Sequence, residues 1–144
     1  TSTRQHYQRT RSFVGTSYYS APEQYPDPFD GNLPPIDHRA DIYSLGCIIY
    51  ELLTTQTPFV HDDPGIVGLM HQRRHITGST PQSIVPPGMR NPLLMEKLSP
   101  GKEEKKELDR IVMKCLQKLP LGRYQSVREL KEDFISACTK QSNR

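Results

Sequence analysis

The sequence predicts a mainly helical domain with long loops, and three observations carry that prediction. The run Asp41-Ile42-Tyr43-Ser44-Leu45-Gly46-Cys47-Ile48-Ile49-Tyr50-Glu51-Leu52-Leu53 is apolar on nearly every side. A later stretch places apolar residues at i, i+3, i+4 and i+7 with charge on the opposite face, and a last one carries an apolar face of Val127, Leu130, Phe134 and Ala137 or Cys138. No segment alternates with the period of two that a half-buried strand requires.

In the 41–53 run, Ile42, Leu45, Ile49, Leu52 and Leu53 mark one side at helical spacing. Tyr43, Cys47, Ile48 and Tyr50 fill most of the remaining circumference. A helix apolar nearly all round belongs in an interior, and this one is too short and too interrupted by Ser44 and Glu51 to cross a bilayer. It reads as a helix buried in a soluble domain, with Asp37 as a candidate N-cap. Gly46 lowers helix propensity, which implies close approach by another backbone.

Residues 1–39 show neither period and are punctuated by Gly15, Pro22, Pro26, Pro28, Gly31, Pro34 and Pro35, so they read as an extended, irregular segment. A stretch of this length without regular structure is usually functional. After the buried helix, residues 54–58 turn the chain. Asp63-Pro64 reads as an N-cap followed by proline at the first helical position, opening a short helix with Ile66, Val67, Leu69 and Met70. Residues 76–100 predict a loop with at most one helical turn near Leu93–Lys97. Ser99-Pro100 opens an amphipathic helix whose core face is Leu108, Ile111, Val112, Cys115, Leu116 and Leu119. A final helix begins at Ser126, with Glu129 completing a capping box, and buries Val127, Leu130, Phe134 and Ala137 or Cys138.

Composition bounds the function classes. The 144 residues include 13 prolines, are 34% hydrophobic and 24% charged, and carry a formal charge of +3, which describes one loop-rich globular domain. Arg4, Arg9 and Arg11 crowd the N-terminal stretch, yet so mild a net charge reads as a solvated loop rather than a nucleic-acid site. The three cysteines, Cys47, Cys115 and Cys138, are far apart and each sits in an apolar helical pattern, so they read as buried thiols in a reducing compartment. His71 and His75 stand at the i, i+4 spacing of metal ligands. The glutamate of the zincin pattern is replaced by Gln72, and Arg73 and Arg74 repel a cation, so surface histidines are the better reading. No secretory signal or membrane span is expected.

Three short patterns carry more than composition. They are Gly15-Thr16-Ser17-Tyr18-Tyr19-Ser20-Ala21-Pro22-Glu23, then Asp41-Ile42-Tyr43-Ser44-Leu45-Gly46, then Leu119-Pro120-Leu121-Gly122-Arg123-Tyr124. In this order they resemble the C-terminal lobe of eukaryotic-type serine/threonine protein kinases from the activation segment onward, over about Ser12 to Phe134. The resemblance implies an activation segment at 1–23, a connecting loop at 24–39 and C-lobe helices at 40–139.

It also implies roles for single residues. Glu23 of Ala-Pro-Glu would pair with Arg123, whose planar fork suits a carboxylate. Asp41 would hold backbone amides of the catalytic loop, besides suiting the positive end of its own helix. Thr16 would support that loop, and the Gly-Thr-x-x-Tyr arrangement around Thr16 and Tyr19 favours serine or threonine substrates over tyrosine. Tyr19 and Glu51 would face the docked peptide, Glu51 toward a substrate arginine, and Ser12 falls where an activating phosphate is commonly placed.

Phosphoryl transfer further needs a glycine-rich phosphate loop, a nucleotide-binding lysine, a base and an aspartate–asparagine pair on magnesium, and the 144 residues contain none of those motifs. ATP and magnesium are therefore expected in a parent kinase whose N-terminal half supplies them, and the isolated chain is expected to be inactive. The rival reading is a non-catalytic, pseudokinase-like interaction module. As a kinase the protein would act inside the cell, in cytoplasm or nucleus, on protein substrates, with no nucleic-acid partner. The family pattern is broken by Leu119 in place of the usual aspartate, by a long 24–40 connection and by Tyr43 in place of tryptophan.

Overall fold

The computed structural model describes residues 17–27, 29–72, 87–98 and 101–139. Ser12, Thr16 and His75 lie outside the described residues. The described residues form helices and turns without a strand.

The central helix α1 spans Arg39–Thr54. Its start is fixed by Asp37, one residue upstream of the position that precedes the helix. The Asp37 carboxylate accepts the Arg39 backbone N–H at 2.9 Å and the Arg39 side chain at 2.7 Å. These bonds lower the Asp37 pKa to about 2. The helix stops where Thr55 turns into the left-handed region at φ 64° and donates its N–H to the Glu51 carbonyl at 2.7 Å.

The expectation that α1 would be covered all round is only partly met. Ala40, Ile42, Tyr43, Gly46, Cys47, Tyr50 and Thr54 are buried, whereas Ile48 is 44% and Leu52 71% exposed. Leu52, placed by its spacing on the core side, faces water. The burial comes from two flanks. On one, Tyr43, Cys47 and Tyr50 pack with Ala21, Phe59, Val67, Val112 and Leu116. On the other, Ile42 packs with Ile111, Cys115, Tyr124, Leu130 and Ala137.

Helix α2 (Pro64–His71) opens as the Asp63-Pro64 pair predicts, with Asp63 Oδ1 accepting the Gly65 N–H at 2.8 Å. The following region is more helical than expected. Two short helices, α3 (Pro87–Arg90) and α4 (Pro92–Leu98), replace a single turn. Each begins on a proline, which at the first helical position starts a helix instead of breaking one. Asn91 Oδ1 accepts the Leu94 N–H at 3.2 Å, and Arg90 donates to the Thr57 and Pro58 carbonyls at 2.8 and 3.2 Å.

Helix α5 (Lys102–Cys115) is preceded by Gly101, not by Ser99, which lies outside the described residues. Ile111, Val112, Cys115 and Leu116 are buried as the periodicity requires, but Leu119 is 54% exposed. The chain leaves the helix before Pro120, whose ring disfavours a helical residue ahead of it. Helix α6 (Val127–Thr139) follows. Ser126 Oγ accepts the Glu129 N–H at 3.2 Å, and Glu129 Oε2 reaches back to the Gln125 N–H at 2.8 Å, one residue beyond the usual capping-box partner. Leu130 and Ala137 form its buried edge, while Val127 and Cys138 face outward. Arg110 on α5 grips Asp133 on α6 through two 2.8 Å bonds, and the Tyr124 hydroxyl donates to the same carboxylate at 2.6 Å.

Helices α1 and α5 touch closely at Gly46, where an added Cβ would sit 2.5 Å from Cys115 Cβ. Burial pushes the Cys47 and Cys115 thiols up to about 12, so both stay protonated and unreactive at neutral pH. The expected burial of all three cysteines fails at Cys138, which is exposed at the end of α6. Among the described residues, no helix is long and apolar enough to cross a membrane.

Candidate docking site

The irregular segment before α1 begins, among the described residues, at Ser17. It tightens into a 3-10 turn at Pro22–Gln24, closed by the Gln24 side chain accepting the Ala21 N–H at 2.7 Å. That turn aims the Glu23 side chain inward, where it is 8% exposed, against an Arg123 side chain that is 0% exposed. Arg123 Nη1 and Nη2 donate to the two Glu23 oxygens at 2.6 and 2.8 Å.

The remaining guanidinium donors are also used. Arg123 Nε donates to the Gln117 carbonyl at 2.7 Å, Nη1 to the Arg39 carbonyl at 2.9 Å and Nη2 to the Lys118 carbonyl at 3.1 Å. All five N–H groups of the guanidinium thus meet an acceptor, and its face lies 4.9 Å from the Tyr43 ring centroid. One side chain joins the 3-10 turn, the start of α1 and the end of α5. The Pro120–Gly122 turn that presents it forms with Leu119 at its head, so the missing aspartate does not prevent the turn.

Tyr19 and Glu51 are also brought together. The Tyr19 hydroxyl donates to Glu51 Oε2 at 2.6 Å, which raises the phenol pKa by holding the proton against a carboxylate. Ser44 Oγ donates to the Tyr19 carbonyl at 2.7 Å and so fixes the segment to α1. Tyr19 and Glu51 form the ridge between two surface grooves. One, of about 590 Å³, includes Ser20, Gln24, Ser44 and Ile48, and the other, of about 600 Å³, includes Tyr18, Thr55 and Val60. Asp41 is not part of this group: it lies exposed in the first turn of α1.

His71 corrects the surface reading of the histidines. It is 0% exposed, with Nδ1 2.6 Å from the Tyr43 hydroxyl and its ring edge-on to Phe59 at 4.9 Å. Burial, then the nearby Lys118 charge, lowers its pKa to about 3. The sign of the pH effect follows. An unfolded histidine takes a proton near its ordinary pKa of 6.5, while the folded one refuses it, so the stabilising contribution is complete above that pH and declines toward 3. Urea midpoints should therefore begin to fall near pH 6.5, before most carboxylates titrate. His71→Gln should flatten that part of the profile, and an identical profile in the variant would contradict the assignment.

The sequence did not single out Tyr43–His71 or Ser44 as a tether. The first pair is 28 residues apart, and no local pattern marks it. Ser44 did carry a signal, since it stands between two motif positions.

The model of the protein kinase domain family matches residues 1–135. The chain is 35% identical over 127 residues to the serine/threonine-protein kinase PknB of Mycolicibacterium smegmatis, and equally to that of Mycobacterium leprae, in each case over 88% of this chain. It is 38% identical over 130 residues to a probable serine/threonine-protein kinase of Streptomyces coelicolor, over 90% of this chain. The aligned region is 16% of the Streptomyces relative and of the Mycolicibacterium one, so the chain spans about one-sixth of the length of the relatives it matches. With the family model covering nearly its whole length, this chain belongs to the protein kinase domain family.

Proposed function

We propose that this chain is the peptide-docking part of a serine/threonine protein kinase, corresponding to the C-terminal lobe from the activation segment onward. The observation that carries the reading is the buried, two-point bond between Glu23 and Arg123. It holds the segment at 17–25 rigidly against α1, which leaves Tyr18, Tyr19 and Glu51 lining a surface where an extended peptide can lie. Glu51 would take a substrate arginine through its carboxylate. Thr16 and Asp41 would brace the catalytic loop, and a phosphate on Ser12 would order the segment by gathering cationic side chains. Kinase action would place the protein inside the cell.

Among the described residues no three His, Cys, Asp or Glu side chains converge as a metal seat. In this reading ATP and magnesium are held by the other half of the parent kinase, and the 144-residue chain by itself transfers no phosphate.

The test uses the intact protein in which these residues occur. Radiolabelled ATP should phosphorylate serine or threonine peptides, with a preference for arginine just upstream of the acceptor. Glu51→Gln should raise KM for arginine peptides about tenfold, the scale of losing one partly exposed charge pair of about 1.4 kcal/mol, with peptides lacking arginine little affected. Equal loss for both peptide classes would remove Glu51 from the arginine site. No transfer at all, with peptide binding retained, would establish the interaction-module reading in place of the enzyme.

A further inference from the structure

The Glu23–Arg123 bond holds only one side of the docking segment. The other side rests on the C-terminal end of α2, through residues with no part in the kinase motifs. Gln72, 5% exposed, directs its Nε2 at two main-chain carbonyls, Pro22 at 3.3 Å and Pro26 at 3.0 Å. Only the amide nitrogen, with two N–H groups, can satisfy two carbonyl oxygens at once. The bonds span the 3-10 turn, so Gln72 closes it from outside as Gln24 does from within.

One helical turn earlier, Gly68 lies against the ring of Tyr25. An added Cβ there would stand 2.7 Å from Tyr25 Cε1. Tyr25 is 3% exposed and its hydroxyl donates to the Ser17 carbonyl at 3.2 Å. The same end of α2 thus meets the docking segment at Pro22, Tyr25 and Pro26, and Tyr25 carries the contact on to Ser17.

We propose that the end of α2 is a second clamp on the docking segment, and that Gln72 is a positioning residue for the peptide, acting through the Pro22 and Pro26 carbonyls without touching substrate. The inference rests on the peptide-docking reading above. Gln24 lines the groove and sits inside the turn that Gln72 closes, while Ser20 and Tyr19 precede it directly. Freeing the turn loosens those groove residues and leaves the phosphate-transferring half untouched. The cost therefore falls on peptide affinity rather than on turnover.

Gln72→Met keeps the side-chain length and removes both donors, and Gln72→Glu sets a carboxylate against two carbonyls. In the intact kinase, Gln72→Met should raise peptide KM about fivefold, and Gln72→Glu more, with kcat within about twofold. Arg110→Ala serves as the control for general loosening, because it weakens the distant α5–α6 contact. It should lower the yield of active enzyme and leave KM unchanged. Unchanged KM in both Gln72 variants, or an equal rise in Arg110→Ala, overturns the positioning role. Hydrogen exchange reads the clamp without any enzymatic activity: the Gln24 and Tyr25 amides, bonded to the Ala21 and Pro22 carbonyls, should exchange faster in Gln72→Met. Unaltered exchange overturns the clamp itself. A wild-type protein that neither transfers phosphate nor binds peptide sinks the docking reading and the positioning role together, with exchange still deciding the clamp.

Discussion

Replacing Arg123 by alanine is expected to destabilise the protein by about 3–5 kcal/mol, the range for stranding one partner of a buried ion pair. The variant leaves Glu23 buried and charged beside the Gln117, Lys118 and Arg39 carbonyls that the guanidinium had satisfied. A domain of this size is held together by only about 5–15 kcal/mol, so most of the margin disappears. Arg123→Lys should recover a part only, because an ammonium cannot reproduce a planar fork bonded at all five positions. Glu23→Gln should be milder than Arg123→Ala, since the amide oxygen still accepts one of the two bonds. Urea unfolding at neutral pH measures all three. A loss under about 1 kcal/mol for Arg123→Ala would put the pair in the class of exposed surface bridges.

The second large effect is expected at Gly46. Its Cβ position lies 2.5 Å from Cys115 Cβ, an atom fixed to the α5 backbone, and Leu116 is only 3.2 Å away. Gly46→Leu should cost at least about 3 kcal/mol, the upper end for overpacking a core, because α5 must move bodily to admit the side chain. Gly46→Ala should cost less, since about 1 kcal/mol of gained helix propensity offsets the clash. The contact is reciprocal, so Cys115→Gly should relieve Gly46→Ala, whereas Cys115→Ser, which keeps the Cβ, should not. Additive losses in Gly46→Ala/Cys115→Gly would show that the two helices do not meet there.

The helices with strong local signals were legible in the sequence. The run at 41–53 marks α1 to within two residues, Asp63-Pro64 marks the start of α2, and the Ile111 to Leu116 spacing marks the buried face of α5. What failed was the choice of side on α1. When apolar residues surround a helix, periodicity cannot rank its flanks, and Leu52 and Ile48 proved to be the uncovered ones. The region at 87–98 was misread because proline was counted as a breaker, although Pro87 and Pro92 each occupy a helix start. Cys138 was placed by the apolar residues around it, but α6 buries only the Leu130–Ala137 edge.

The candidate site was readable where motif order substitutes for proximity. Glu23 and Arg123 are 100 residues apart, and only their motifs announced a meeting. His71 and Gln72 had no such label. Their partners are the Tyr43 hydroxyl and two proline carbonyls, which a single sequence cannot connect to them. Tertiary hydrogen bonds to main-chain carbonyls leave no residue-type signature at the accepting end.

The central claim is that a distant guanidinium holds the docking segment down through Glu23. A double-mutant cycle tests it most directly, with Glu23→Ala, Arg123→Ala and both together compared by urea unfolding. The cycle should return a coupling energy of about 2 kcal/mol or more, as for groups sharing one buried network. A coupling energy near zero would mean that the two side chains stabilise the protein separately, and that the segment is held by something else.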